Sequence, residues 1–163
     1  MKPEPAEYIR RTRESYEKLG YEPYQWFHAD AEPALAPLKK PLNESKVGMI
    51  STAGTYVHGQ VAYYYKDDTG IRAIPSDTPT DALRFSHIME NYLVEARQDP
   101  ATVFPTRALE ALRDEGVIGD IADNVFSCMG GIYSTRRVRE ELIPALDEAI
   151  RGEEVDLLLL VPL

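Results

Sequence analysis

The chain has 163 residues, 44% of them hydrophobic and 28% charged, which fits one globular domain large enough to bury a core without disulfides. Its net charge of −9 argues against a protein that binds by neutralising a nucleic-acid backbone, and against docking on an anionic membrane. The one cysteine, Cys128, excludes an internal disulfide. No apolar leader follows Met1-Lys2-Pro3-Glu4, so the expectation is a cytoplasmic protein.

In chain order, residues 5–19 predict a helix. Tyr8, Ile9, Thr12, Tyr16 and Leu19 recur near helical spacing, and Gly20 supplies a stop. Residues 21–45 are rich in proline and aromatics, notably Tyr24, Trp26 and Phe27, and read as an ordered arm that covers a sheet edge or a partner. With the helix they form an N-terminal segment, 1–45, ahead of an α/β domain, 46–163. Val47-Gly48-Met49-Ile50-Ser51 is the first core strand, and Thr52-Ala53-Gly54-Thr55 is a turn of small residues. Val61–Tyr65, Ile71–Ile74 and Leu83–His87 read as further strands, with a helical stretch to Arg97 after the last. Pro105 opens a helix over 106–114 that Gly116 closes.

Val125–Cys128 is a short strand before a Gly130-Gly131 turn. Residues 135–151 predict a helix kinked at Pro144. The apolar run Val155–Val161 then reads as a central parallel strand covered on both faces. It is far short of the roughly 20 residues that span a bilayer. Strands alternating with helices imply an α/β fold, an open, mostly parallel, doubly wound sheet with flanking helices that is incomplete at its C-terminus.

In such sheets, sites form at the carboxyl ends of strands. Ser51, Thr52 and Gly54 present hydroxyls and small-residue N–H groups that could cradle a carboxylate or phosphate, and the simpler account is a tight turn. His87, at a strand end, is a candidate for proton transfer or a hydrogen-bonded structural residue. His58, in a loop, is a weaker candidate for substrate contact, and His28 reads as structural. Cys128 is either a reactive thiol or, more simply, a buried inert one. The three histidines lack metal-ligand spacing, and no GxGxxG or P-loop occurs, so no metal or nucleotide cofactor is expected.

Several segments, in order, resemble one family. Gly48-Met49-Ile50-Ser51-Thr52-Ala53-Gly54 resembles "LISTAG", and Ile71-Arg72-Ala73-Ile74-Pro75-Ser76-Asp77 resembles "FREIPSD". Asp99–Pro105 resembles "DxNxVFP", and Leu109–Gly119 resembles "LREL(A/V)EEGxIG". Met129-Gly130-Gly131 resembles an "MGY" turn, and Glu154–Leu159 resembles "GVDAVLL". These motifs resemble the glycine/sarcosine/betaine reductase selenoprotein B family, which includes the proline-binding selenoprotein subunit of D-proline reductase. Ser86-His87 matches the family's "SH/TH", whereas His87-Ile88-Met89-Glu90-Asn91 departs from its "HxHYD" and keeps one histidine.

The resemblance implies an oxidoreductase subunit that binds a small amino-acid-like substrate for reductive cleavage. It also implies other reductase subunits or further copies of the chain as partners. The family's selenocysteine or cysteine follows its "VDAVLL" strand, so the redox residue is expected just after Leu163. A strand that simply ends the domain, a selenocysteine codon read as a stop, and a split gene or cleaved precursor are the alternatives for such an ending. From another class, the competing reading is a non-catalytic ligand-binding or regulatory subunit with the same fold.

Overall fold

The structure is a computed structural model that describes residues 7–23, 28–88 and 90–163. The aromatic stretch at 24–27 lies outside the described residues. Contacts divide the chain into two units, Met1–Ala36 and Pro37–Leu163.

In the first unit, helix α1 (Tyr8–Lys18) forms where the apolar spacing predicts it. It buries none of its residues, and Arg10 pairs with Glu7 and Glu14 along its surface. Gly20, with φ 77°, takes the left-handed conformation that ends it.

In the second unit, a 3₁₀ turn (Leu42–Glu44) leads into strand β1 (Lys46–Ser51), five of whose six residues are buried. Strand β7 (Leu157–Val161) runs parallel to β1 along its length, from Val47 opposite Leu157 to Ser51 opposite Val161. That fills one edge of β1, so β5 (Asp120–Ile121) and β6 (Asn124–Ser127), which also pair with β1 in parallel, share its other edge. They act as one strand broken at Ala122-Asp123. Beyond them, β3 (Arg72–Pro75) pairs antiparallel with β6. The sheet is thus open and mostly parallel, as the alternation of strands and helices predicts.

Helices cover both faces. One core joins Val47, Met49, Ile74, Ile121 and Val125 to Leu109 of helix α3 (Thr106–Asp114), together with Phe104 and Leu93. The other joins Ile50, Phe126 and Cys128 to Leu142 and to Leu146 and Ile150 of helix α5 (Ile143–Gly152). Ahead of α5, a short helix α4 (Thr135–Arg137) passes into a π-helical segment, Val138–Leu142. Pro144 lacks an N–H and its ring would strike the carbonyl four residues back; the widened π turn accommodates it, so the expected kink takes this form. Between the central strand and α3 lie a small ribbon and helix α2 (Val94–Gln98). In the ribbon, β2 (Thr55–Val57) pairs antiparallel with β4 (Leu83–Phe85).

Two expectations are corrected. Residues 61–65 form no strand: Tyr63 is buried while Tyr64 and Tyr65 are exposed, so this is a loop anchored by one ring. Strand β7 is at the edge of the sheet, pairing with β1 among the described residues, and Leu160 is 64% exposed. A continuous apolar run reports two apolar faces and carries no information on how many hydrogen-bonded neighbours a strand has. No helix among the described residues is long and apolar enough to cross a membrane.

Candidate functional site

The carboxyl ends of β1, β6 and β7 meet the segment that leaves the β2–β4 ribbon, and this junction gathers most of the residues singled out above. The Thr52 N–H donates to the Val161 carbonyl at 3.1 Å, and the Leu163 N–H donates to Thr52 Oγ1 at 2.9 Å. The end of β7 is therefore tied directly to the turn after β1. On the far side of that turn, the Ser86 N–H donates to the Gly54 carbonyl at 3.0 Å, which brings His87 alongside.

Gly130 completes the junction. A β-carbon there would lie 2.9 Å from the Thr52 carbonyl oxygen, 3.0 Å from the Leu163 carbonyl oxygen and 3.1 Å from His87 Nε2. At Gly131 a β-carbon would come within 2.1 Å of Ile88 Cγ2. The paired glycines are thus a requirement of close approach, and they let backbone pass where side chains could not. Gly130 is itself exposed, so the junction opens to solvent.

His87 is 5% exposed, and burial lowers its pKa below the ordinary imidazole value while Glu90 pulls weakly the other way. Burial therefore favours the neutral form of the ring.

The anion cradle expected at Ser51, Thr52 and Gly54 does not have the donors it needs. The N–H groups of Thr52, Ala53, Gly54 and Thr55 donate in turn to the Val161 carbonyl, Ser51 Oγ, the Cys128 carbonyl and Ser127 Oγ. Ser51 is fully buried and its hydroxyl donates to the Val103 carbonyl at 2.7 Å, so its role is to brace the turn. Gly54, at φ 63°, allows the turn its shape. The Thr52 hydroxyl is the one polar group of this set at the open junction; it accepts from Leu163 and retains a proton to donate.

His58 is exposed and follows Val57, at the opposite end of the ribbon from the Thr55–Phe85 pair, so the structure does not bring it to His87. Cys128 is 2% exposed within the second core, and burial pushes its thiol up to about 11. It is protonated near neutrality and enclosed, the reverse of what a reactive thiol requires.

Tyr63 is a residue that sequence reasoning missed. Its hydroxyl donates to the Ser127 carbonyl at 2.6 Å, its carbonyl accepts from Ser86 Oγ, and the Arg72 guanidinium lies 4.2 Å from its ring centre. It walls the turn at Gly54. Three consecutive tyrosines carry no signal of which one is buried. Thr55 Oγ1 is buried with no hydrogen-bond partner among the described residues. Those residues also hold no group of three His, Cys, Asp or Glu side chains that could bind a metal.

Among known proteins, the chain is similar to D-proline reductase subunit gamma of Acetoanaerobium sticklandii, with 26% identity over 129 residues. The match takes in 78% of this chain and 52% of the relative, so the chain spans about half the length of the curated relative it matches. No family model matches the chain, and no solved structure matches it. The likeness relates the chain, at a distance, to a subunit of a reductase.

Proposed function

We propose that the chain is the substrate-side part of a reductase of the selenoprotein B kind. In this reading it binds a small amino-acid-like molecule for reductive cleavage at a selenocysteine or cysteine placed directly after Leu163. The observation that carries the reading is the convergence at Gly130 of the Thr52 and Leu163 carbonyls with His87 Nε2. A chalcogen at the next position would emerge beside a neutral imidazole and a threonine hydroxyl. His87 then takes the proton of the selenol or thiol and leaves the nucleophilic anion. Thr52 offers its hydroxyl to the substrate carboxylate. The likeness to a D-proline reductase subunit supports a cyclic or N-substituted amino acid as substrate, and other subunits or further copies of the chain as partners. In the reaction a carbon–nitrogen bond is replaced by C–H and N–H bonds, and the two electrons come from a dithiol that becomes a disulfide.

The test is the native protein's mass, the coding region beyond the Leu163 codon and an assay of dithiol-dependent cleavage of D-proline, glycine, sarcosine and betaine. We expect an in-frame selenocysteine or cysteine followed by further sheet-forming sequence, and turnover that His87→Ala lowers about a hundredfold. A native mass ending at Leu163, together with no cleavage of any of the four, defeats the reading. The burial of Cys128 favours a second reading in that case, a ligand-binding or regulatory subunit. It predicts that the same small molecules raise the melting temperature without being reduced.

A further inference from the structure

A cavity of about 260 Å³ opens beside the β2–β4 ribbon, bounded by Tyr56, Asp81, Arg84, Phe85, Arg97 and Pro100. Neither His87 nor Thr52 lines it, so it is separate from the strand-end junction. Two guanidinium groups at one concavity run against the average charge of a chain whose net charge is −9.

Arg84 stands directly opposite Tyr56 in the ribbon register, so both residues belong to one face. Its Nη1 donates to the carbonyls of Asp81 and Leu83, each at 2.7 Å. These two bonds fix the guanidinium plane. Among the described residues no carboxylate pairs with Arg84, and its Nε and Nη2 donate to none of them. That edge carries two parallel N–H groups, the fork that matches a carboxylate. Arg97, on α2, pairs with Glu90 where both side chains are about half exposed, an arrangement of little net worth. Phe85, Tyr56 and Pro100 supply apolar wall, and the Asp81 carboxylate at the same cavity disfavours a doubly charged guest.

We propose that this cavity binds a small organic monocarboxylate with a flat apolar body. The carboxylate lies on the Arg84 fork with Arg97 as second cation, and the body packs against the Phe85–Tyr56–Pro100 wall. Binding at this cavity does not require a redox residue at the strand-end junction.

Benzoate titrated into isotope-labelled protein tests it, with backbone amide and arginine Nε–H resonances as the readout. We expect saturable shifts at Tyr56, Arg84, Phe85 and Arg97, with a Kd on the order of 1 mM. Arg84→Gln and Arg84→Lys should each weaken binding about tenfold, the lysine because it keeps the charge and loses the fork. Arg113→Gln, a loss of the same charge on α3, should leave binding unchanged, and Arg97→Gln should weaken it even if an Arg84 variant fails to fold. Shifts that do not saturate, benzoate binding by Arg84→Lys as tight as by the parent, or inorganic phosphate competing at equal concentration would each overturn the proposal.

Discussion

Gly130 lies against His87 with no room for a side chain, since a β-carbon on it would stand 3.1 Å from the imidazole Nε2. The same missing methyl group leaves the Thr52 and Leu163 carbonyls where they are. The position of the histidine thus depends on a residue that lies 43 positions away in the chain and has no side chain of its own.

Gly130→Ala follows directly. Its φ is not in the left-handed region, so the cost is steric, about 1–3 kcal/mol for forcing a methyl group into a filled site. Urea denaturation should show that loss, and the His87 ring resonances should move with it. An alanine variant with unaltered stability and an unaltered imidazole spectrum would mean the junction is loose.

Two other glycines form a matched pair. Gly54 and Gly116 have φ of 63° and 71°, but a β-carbon at Gly54 would lie 2.0 Å from the Ser86 carbonyl oxygen, whereas at Gly116 nothing lies within 4 Å. Gly116→Ala should cost about 1 kcal/mol, the strain of the left-handed conformation alone. Gly54→Ala should cost at least ~3 kcal/mol or abolish folding, because backbone cannot retreat as a side chain can. Thermal melts of the two variants side by side measure the difference.

His87 should make stability depend on pH. Burial lowers its folded pKa, so the unfolded chain binds the proton more readily. Its contribution is intact above the ordinary imidazole pKa of about 6.5 and declines as pH falls below it. Denaturation curves between about pH 7.5 and 5 should show a slope that His87→Gln removes; equal slopes in the two proteins would count against a buried neutral ring.

Cys128 should be slow to react. With its thiol pushed up to about 11 and 2% exposed, it should resist iodoacetamide at neutral pH until the protein is unfolded. Rapid labelling of the folded chain would contradict the core placement.

Tyr63→Phe isolates one hydrogen bond. Removing the hydroxyl leaves the buried Ser127 carbonyl without that donor, which should cost about 1–2 kcal/mol in chemical denaturation while the Arg72 contact with the ring persists. No loss of stability would show that the ring alone holds the loop.

Much of this was legible in the chain. Local spacing places α1, β1, β3, α3 and the helix over 135–151, and Pro144 marks where the last of these changes its winding, because period and proline chemistry are properties of neighbouring residues. The two-residue strand β5 gives no pattern to find, and the run at 61–65 carries β-forming residues without becoming a strand, because three tyrosines satisfy propensity whatever their burial. Of the site, the sequence by itself determined the small-residue turn at 51–54, the histidine at the end of a strand and the paired glycines. Only the tertiary structure decided that the turn's N–H groups are engaged internally, that Cys128 is enclosed and that β7 lies at the sheet edge. The physical reason is common to all three: residue type records what a group is able to do, while long-range pairing decides which of its hydrogen bonds and faces remain open.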